Sequence, residues 1–153
     1  MKEVIARLHH WIEKVPASFN AQSETEISKR PQPNKWSKKE ILGHLCDSAQ
    51  NNLQRFIRAQ YEEQPQTVIR YDQDAWVQLM GYQTLPFEQV LSLWVSLHKQ
   101  VAAVMEHTPK ERLQNTYPFG DGQLVTLEWM MRDYVDHLEH HLKQIFGNHI
   151  VKE

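Results

Sequence analysis

His137 and His141 stand four residues apart in the run Tyr134-Val135-Asp136-His137-Leu138-Glu139-His140-His141-Leu142. On an α-helix that spacing stacks two imidazoles on one face, one turn apart. Such a pair can chelate a single transition-metal ion. A third donor is available in Gly43-His44-Leu45-Cys46-Asp47. Three neutral nitrogen donors suit zinc, nickel, copper or ferrous iron, and they leave at least one coordination position for water or substrate. On a helical wheel His140 turns toward the polar side with Asp133 and Asp136. The candidate ligands are therefore His44, His137 and His141. Protons compete with a metal at each imidazole, and unperturbed histidine titrates near pH 6.5, so affinity is expected to fall between about pH 6.5 and 5.

Other metal and nucleophile patterns are missing. Glu139 sits in the wrong place for a His-Glu-x-x-His helix, and no Glu-x-x-His spacing occurs, which argues against a di-iron carboxylate bundle. His98 falls within an apolar stripe and reads either as a hydrogen-bonded core residue or as an outer neighbour of the metal. Asp47, one turn from His44, could orient an imidazole or face solvent. Cys46 points away from His44 on a helix. Tyr71, Asp72, Gln73 and Trp76 either line a pocket mouth or pack a long connection. His9, His10, His107 and His149 read as surface or terminal residues, and Trp11, Trp94 and Trp129 as core.

The elements that must position these residues are helical. A first stripe, Val4, Leu8, Trp11, Ile12 and Val15, ends at Pro16 and in a loop, the polar stretch over 22–34 with Pro31 and Pro33. Ser37-Lys38-Lys39-Glu40 is a capping box, flanked by Trp36 and Ile41 as a hydrophobic staple, and it opens a second helix running to about Glu63, before Pro65. A long connection, from about Gln64 to Leu85, holds a short helical turn around Asp74–Met80. A third helix starts near Pro86 and stops before Pro109. Residues 116–123 read as a loop. Thr126 caps the last helix, and Gly147 lies just past its end. Four amphipathic helices of this size bury their stripes by packing together as an all-α four-helix bundle, and the long connection lets the chain cross it.

Composition narrows the function classes. A chain of 153 residues fits a single domain spanning 1–153. The formal charge of -2 offers no electrostatic footprint for nucleic acid or an anionic membrane. No apolar run approaches the roughly 20 residues that span a bilayer, and the N-terminus has no signal-peptide core. A single cysteine excludes an internal disulfide framework and fits a reducing cytoplasm. Nine histidines are an excess that favours metal or acid–base chemistry.

Three segments carry a family resemblance in order along the chain: Lys35-Trp36-Ser37-Lys38-Lys39-Glu40-Ile41-Leu42-Gly43-His44-Leu45-Cys46-Asp47-Ser48, then Tyr71-Asp72-Gln73-Asp74-Ala75-Trp76-Val77, then His137-Leu138-Glu139-His140-His141-Leu142-Lys143-Gln144-Ile145. In these the chain resembles the DinB-like family, and within it the YfiT-type metal-dependent hydrolases and thiol transferases. The resemblance implies an up-down-down-up four-helix bundle with the long crossover between its second and third helices. It implies a divalent metal, commonly nickel or zinc, held by His44, His137 and His141, and a homodimer. The expected activity is hydrolysis of a small-molecule substrate, or S-transfer from a low-molecular-weight thiol. A metal-bound thiolate needs no carboxylate base, and the sequence identifies none. A metal-binding or stress-response bundle without turnover is the alternative.

Overall fold

The segment that carries His44 is fixed at its start by side-chain chemistry. Ser37 Oγ accepts from the Glu40 amide, and the Glu40 carboxylate accepts from the Ser37 amide at 2.8 Å. This reciprocal cap satisfies two backbone donors that a helix start leaves open. Arg30 bonds the same carboxylate. From that cap the longest helix, α3, runs over Lys38–Tyr61.

The computed structural model describes residues 1–62, 70–119, 122–147 and 150. Their helices are α1 (Lys2–Phe19), α2 (Glu24–Ser28), α3, α4 (Gln73–Met80), α5 (Phe87–His107) and α6 (Leu127–Phe146). A 3₁₀ turn covers Lys110–Gln114, and two short strands, β1 (Thr116–Phe119) and β2 (Gln123–Thr126), precede α6.

The long helices α1, α3, α5 and α6 form a four-helix bundle. α1 and α3 each pack against both α5 and α6. Directions follow from side chains at the helix ends. Phe19, ending α1, meets Phe87 at the start of α5 and Phe146 at the end of α6, each with ring centroids 4.7 Å apart. Cys46 Sγ contacts the Val90 carbonyl, and Gln60 Nε2 donates to Thr108 Oγ1, so α3 and α5 run parallel. The order is up-down-down-up, as the resemblance implies. Parallel neighbours need a crossover, and the connection containing α4 supplies it. Gly81 ends α4 with a φ of 70°, a left-handed conformation that glycine adopts without strain.

Three local expectations are corrected. Pro16 does not end α1, which continues to Phe19. Proline removes one hydrogen bond, but burial of Val15 and Phe19 holds the last turn in place. The polar stretch expected as a loop contains α2, opened by a second capping box of Ser23 and Glu26 and anchored by the buried Ile27. Residues 116–123 are not a loop throughout: β1 and β2 pair antiparallel, with Thr116 opposite Thr126 and Phe119 opposite Gln123. The tip at 120–121 lies outside the described residues, as do Pro65 and His149.

Candidate metal centre

Antiparallel packing of α3 and α6 sets the first half of α3 beside the last half of α6. His44 meets His137 and His141 there, with ring centroids at 5.4 and 4.7 Å. Nε2 of His137 and Nε2 of His141 are 3.1 Å apart. One nitrogen from each of the three lies within 4.8 Å of the others. His44 is 1% exposed, while His137 and His141 are half-buried.

Neighbouring groups set the rings' orientation and charge. His141 Nδ1 lies 2.9 Å from Gln144 Oε1, which only accepts, so Nδ1 carries the proton and Nε2 presents a lone pair. Gln144 in turn donates through Nε2 to His140 Nε2. The Trp36 ring lies over His44 at 5.0 Å and 36°. Burial, with the neighbouring imidazoles, pushes the His44 pKa down to about 3 and the His137 pKa down to about 4. Burial lowers His141 as well. The three rings are neutral at pH 7, the state in which they can bind a metal.

The donor set fits one divalent ion. Neither nitrogen of His44 has a hydrogen-bond partner, although both are buried. Such orphaned atoms are rare because they forfeit hydration without replacement. Nitrogens each roughly 2.0–2.1 Å from one ion stand about 3 Å apart, close to the spacing seen between His137 and His141.

The other sequence candidates have separate roles. His140 is exposed. Glu139 accepts from Arg7 Nε and from Trp11 Nε1, both at 2.9 Å, and so fastens α6 to α1. Asp47 neither orients an imidazole nor faces solvent. It is fully buried, and Oδ1 accepts from Tyr82 Oη at 2.6 Å. Burial raises its pKa to about 6 against the lowering effect of that bond. Cys46 is buried against Val90, and burial pushes its thiol well above the usual range, which removes it as a nucleophile. His98 is a core residue stacked on Trp94 at 4.2 Å, with Nδ1 donating to the Trp94 carbonyl at 2.7 Å and Nε2 without a partner. Trp11 and Trp94 are core, whereas Trp129 is 42% exposed with its ring edge against Phe119. His9, His10 and His107 are exposed, as expected.

His141 opens onto a cavity of about 650 Å³ lined by Lys35, Trp36, Ile41, Gln73, Asp74 and Gln144 among others. Gln73 and Asp74 thus belong to the pocket. Tyr71 and Trp76 meet edge to face at 5.3 Å, so aromatic packing is also present in the crossover. Gln144 was not among the sequence candidates, although its place three residues after His141 puts it on the same helix face.

Comparison with known proteins agrees with this picture. The DinB superfamily model matches residues 2–145. A protein of Halalkalibacterium halodurans, provisionally named a metal-dependent hydrolase, is 30% identical over 142 residues, covering 88% of this chain and 82% of its own. YfiT of Bacillus subtilis, provisionally named likewise, is 26% identical over 139 residues, covering 88% and 78%. The solved structure of that protein superposes with a TM-score of 0.83 at 24% identity, over 94% of this chain and 82% of the other. A mycothiol-dependent maleylpyruvate isomerase shares the fold with a TM-score of 0.70 at 14% identity, and this chain spans 59% of its length. Among the described residues no helix is long and apolar enough to cross a membrane.

Proposed function

This chain belongs to the DinB superfamily, and from that premise we propose that it is a metal-dependent hydrolase of a small-molecule substrate, with His44, His137 and His141 as the ligands of one divalent ion. The observation that carries the reading is the convergence of three neutral imidazoles, the most buried of which, His44, has no hydrogen-bond partner for either nitrogen, beside an open cavity. The names of the curated relatives support the same reaction class. Zinc and nickel are the ions proposed, since both accept imidazole donors.

A divalent ion bound there would supply Lewis acidity, lowering the pKa of a bound water or thiol toward neutrality. The chain's own residues prepare the site. Gln144 holds His141 in the tautomer that aims a lone pair inward. Trp36 covers His44 and keeps water off its buried ring. Lys35, Gln73 and Asp74 provide polar groups on the wall of the cavity, where a substrate can be oriented.

Thiol S-transfer is the second reading, and the state of Asp47 favours it. This carboxylate, one turn from His44, is held by Tyr82 and is not offered to the cavity as a base. A thiol deprotonated by a metal needs no such base. A low-molecular-weight thiol is then the cosubstrate. We further propose a homodimer, supported by the exposed Leu124 and Trp129 near the hairpin, and a cytoplasmic location, supported by the single, unpaired cysteine.

The test is elemental analysis of tag-free protein, followed by hydrolase and thiol-transferase assays before and after chelation. The reading expects one zinc or nickel per chain, with activity lost on chelation and restored by the ion. Activity unaffected by metal removal contradicts it. A bundle that binds metal without turnover would show the ion and no activity across the panel. Sedimentation at micromolar concentration checks the dimer, and a monomer there rejects it.

A further inference from the structure

A polar track continues from His44 along the same face of α3: Ser48, Asn52 and Arg55 follow at spacings of four, four and three. These steps keep all four side chains on one side of a helix. Across from them, His137 and Tyr134 of α6 close a second cavity, of about 140 Å³, which Tyr71 also lines. His137 therefore faces this space while His141 faces the larger one.

The lining is connected. Asn52 Nδ2 donates to the Ser48 carbonyl at 2.9 Å and to Ser48 Oγ at 3.3 Å. Asn52 Oδ1 lies 3.5 Å from Arg55 Nη1. The Ser48 hydroxyl lies against the Tyr71 phenol. Arg55 is half-buried, so its charge acts with less screening than at an open surface. Asp133, the one carboxylate on the described lining, belongs to an exposed residue.

Resting on the metal-centre reading above, we propose that this cavity is a carboxylate-binding subsite, in which the Arg55 guanidinium and the Ser48 and Tyr71 hydroxyls hold an acid group of the substrate beside His137. A guanidinium fork matches a carboxylate in shape as well as charge. The volume is several times the roughly 30 Å³ that one water takes in the liquid. It suits a carboxylate on a short alkyl stem. The substrate class is then a small organic acid whose reacting group lies a few bonds from its carboxylate.

The experiment is a ¹⁵N-resolved NMR titration with propionate and with propionamide, its neutral counterpart. Both probes are added to metal-free and to zinc-loaded protein, as wild type, Arg55→Gln and Arg55→Lys, with zinc content measured in parallel. The wild type is expected to bind propionate at least ten-fold tighter than propionamide in both metal states, with shifts at Ser48 and Asn52. Arg55→Gln loses the preference at unchanged zinc content, and Arg55→Lys keeps part of it. Equal binding of acid and amide by the wild type overturns the subsite, and so does an acid preference that survives in Arg55→Gln. A preference confined to zinc-loaded protein also overturns it, since the acid would then be bound through the ion. A preserved acid preference in protein that takes up no zinc rejects the metal centre and leaves the subsite standing. Should Arg55→Gln fail to fold, the wild-type comparison and the mapped shifts still decide.

Discussion

Nε2 of His137 and Nε2 of His141 lie 3.1 Å apart on successive turns of α6, and His141 Nδ1 donates its hydrogen bond to Gln144 Oε1. Two lone-pair-bearing nitrogens at that distance repel unless a proton or a cation stands between them. The His44 ring approaches the same point from α3 with no protein partner for either nitrogen. Each consequence below follows from that arrangement or from the packing that enforces it.

Acid should affect the metal-free fold before it affects metal binding. The His44 and His137 pKa values lie at about 3 and about 4 in the folded protein, while unfolded histidine titrates near 6.5. Below pH 6.5 the unfolded chain therefore binds more protons, so stability present above pH 6.5 is lost as pH falls toward 4. Asp47 acts with the opposite sign: its stabilising share is present at low pH and lost as pH rises through about 6. With His44, His137 and the buried His98 strongly depressed against the raised Asp47 and Asp133, the net melting temperature of metal-free protein falls between pH 6.5 and 4. A flat or rising profile in that window contradicts the assignment.

The same shifts move the expected window for proton competition. An ordinary histidine would begin to release its ion near pH 6.5, but the buried rings are still neutral at pH 5. Zinc at a free concentration 100 times Kd should stabilise the protein by about 2.7 kcal/mol. For a chain of this size that corresponds to roughly 5–10 °C in melting temperature. At the same free zinc concentration, that increment should persist at pH 5. Its disappearance between pH 6.5 and 5 would show that the rings titrate normally.

Gly43 and Tyr82 form a second tight relationship. A Cβ on Gly43 would fall 2.2 Å from the Tyr82 ring, which is fully buried and bonded to Asp47. Gly43→Ala should cost about 3 kcal/mol, at the upper end for overpacking, measured by urea unfolding. Tyr82→Phe leaves the buried Asp47 without its donor and should cost about 1.5–3 kcal/mol. Near-neutral values for both would remove this contact from the account of how the crossover is held against α3.

His98 should prove structural. It stacks on Trp94 and uses only Nδ1, so His98→Phe keeps the volume and loses one hydrogen bond. About 1 kcal/mol of destabilisation is expected, with full metal stoichiometry. Loss of the ion would instead make His98 part of the centre.

Much of this was legible in the sequence where one local rule dominated. The Ser37–Glu40 box, the Thr126 cap and the 3.6-residue stripes fix the long helices, and the four-residue step from His137 to His141 fixes their shared face. The convergence of His44 on that pair depended on which helices are neighbours, which came from family resemblance and not from periodicity. Residues decided by tertiary contact were misread. Pro16 stays helical because Phe19 is buried between α5 and α6. The four-residue strands of the hairpin are too short to show alternation. Asp47 could not be matched with Tyr82, which lies 35 residues away in the crossover.

The central claim is that His44, His137 and His141 hold one ion, and metal titration of single variants at pH 7 tests it most directly. Zinc is added to tag-free, metal-stripped wild type, His44→Ala, His141→Ala and His140→Ala, with binding followed by calorimetry and fold by circular dichroism. The account predicts one site in the wild type and in His140→Ala. It predicts at least a hundred-fold weaker binding in folded His44→Ala and His141→Ala. Retained affinity in both of those variants, with loss in His140→Ala, would contradict it.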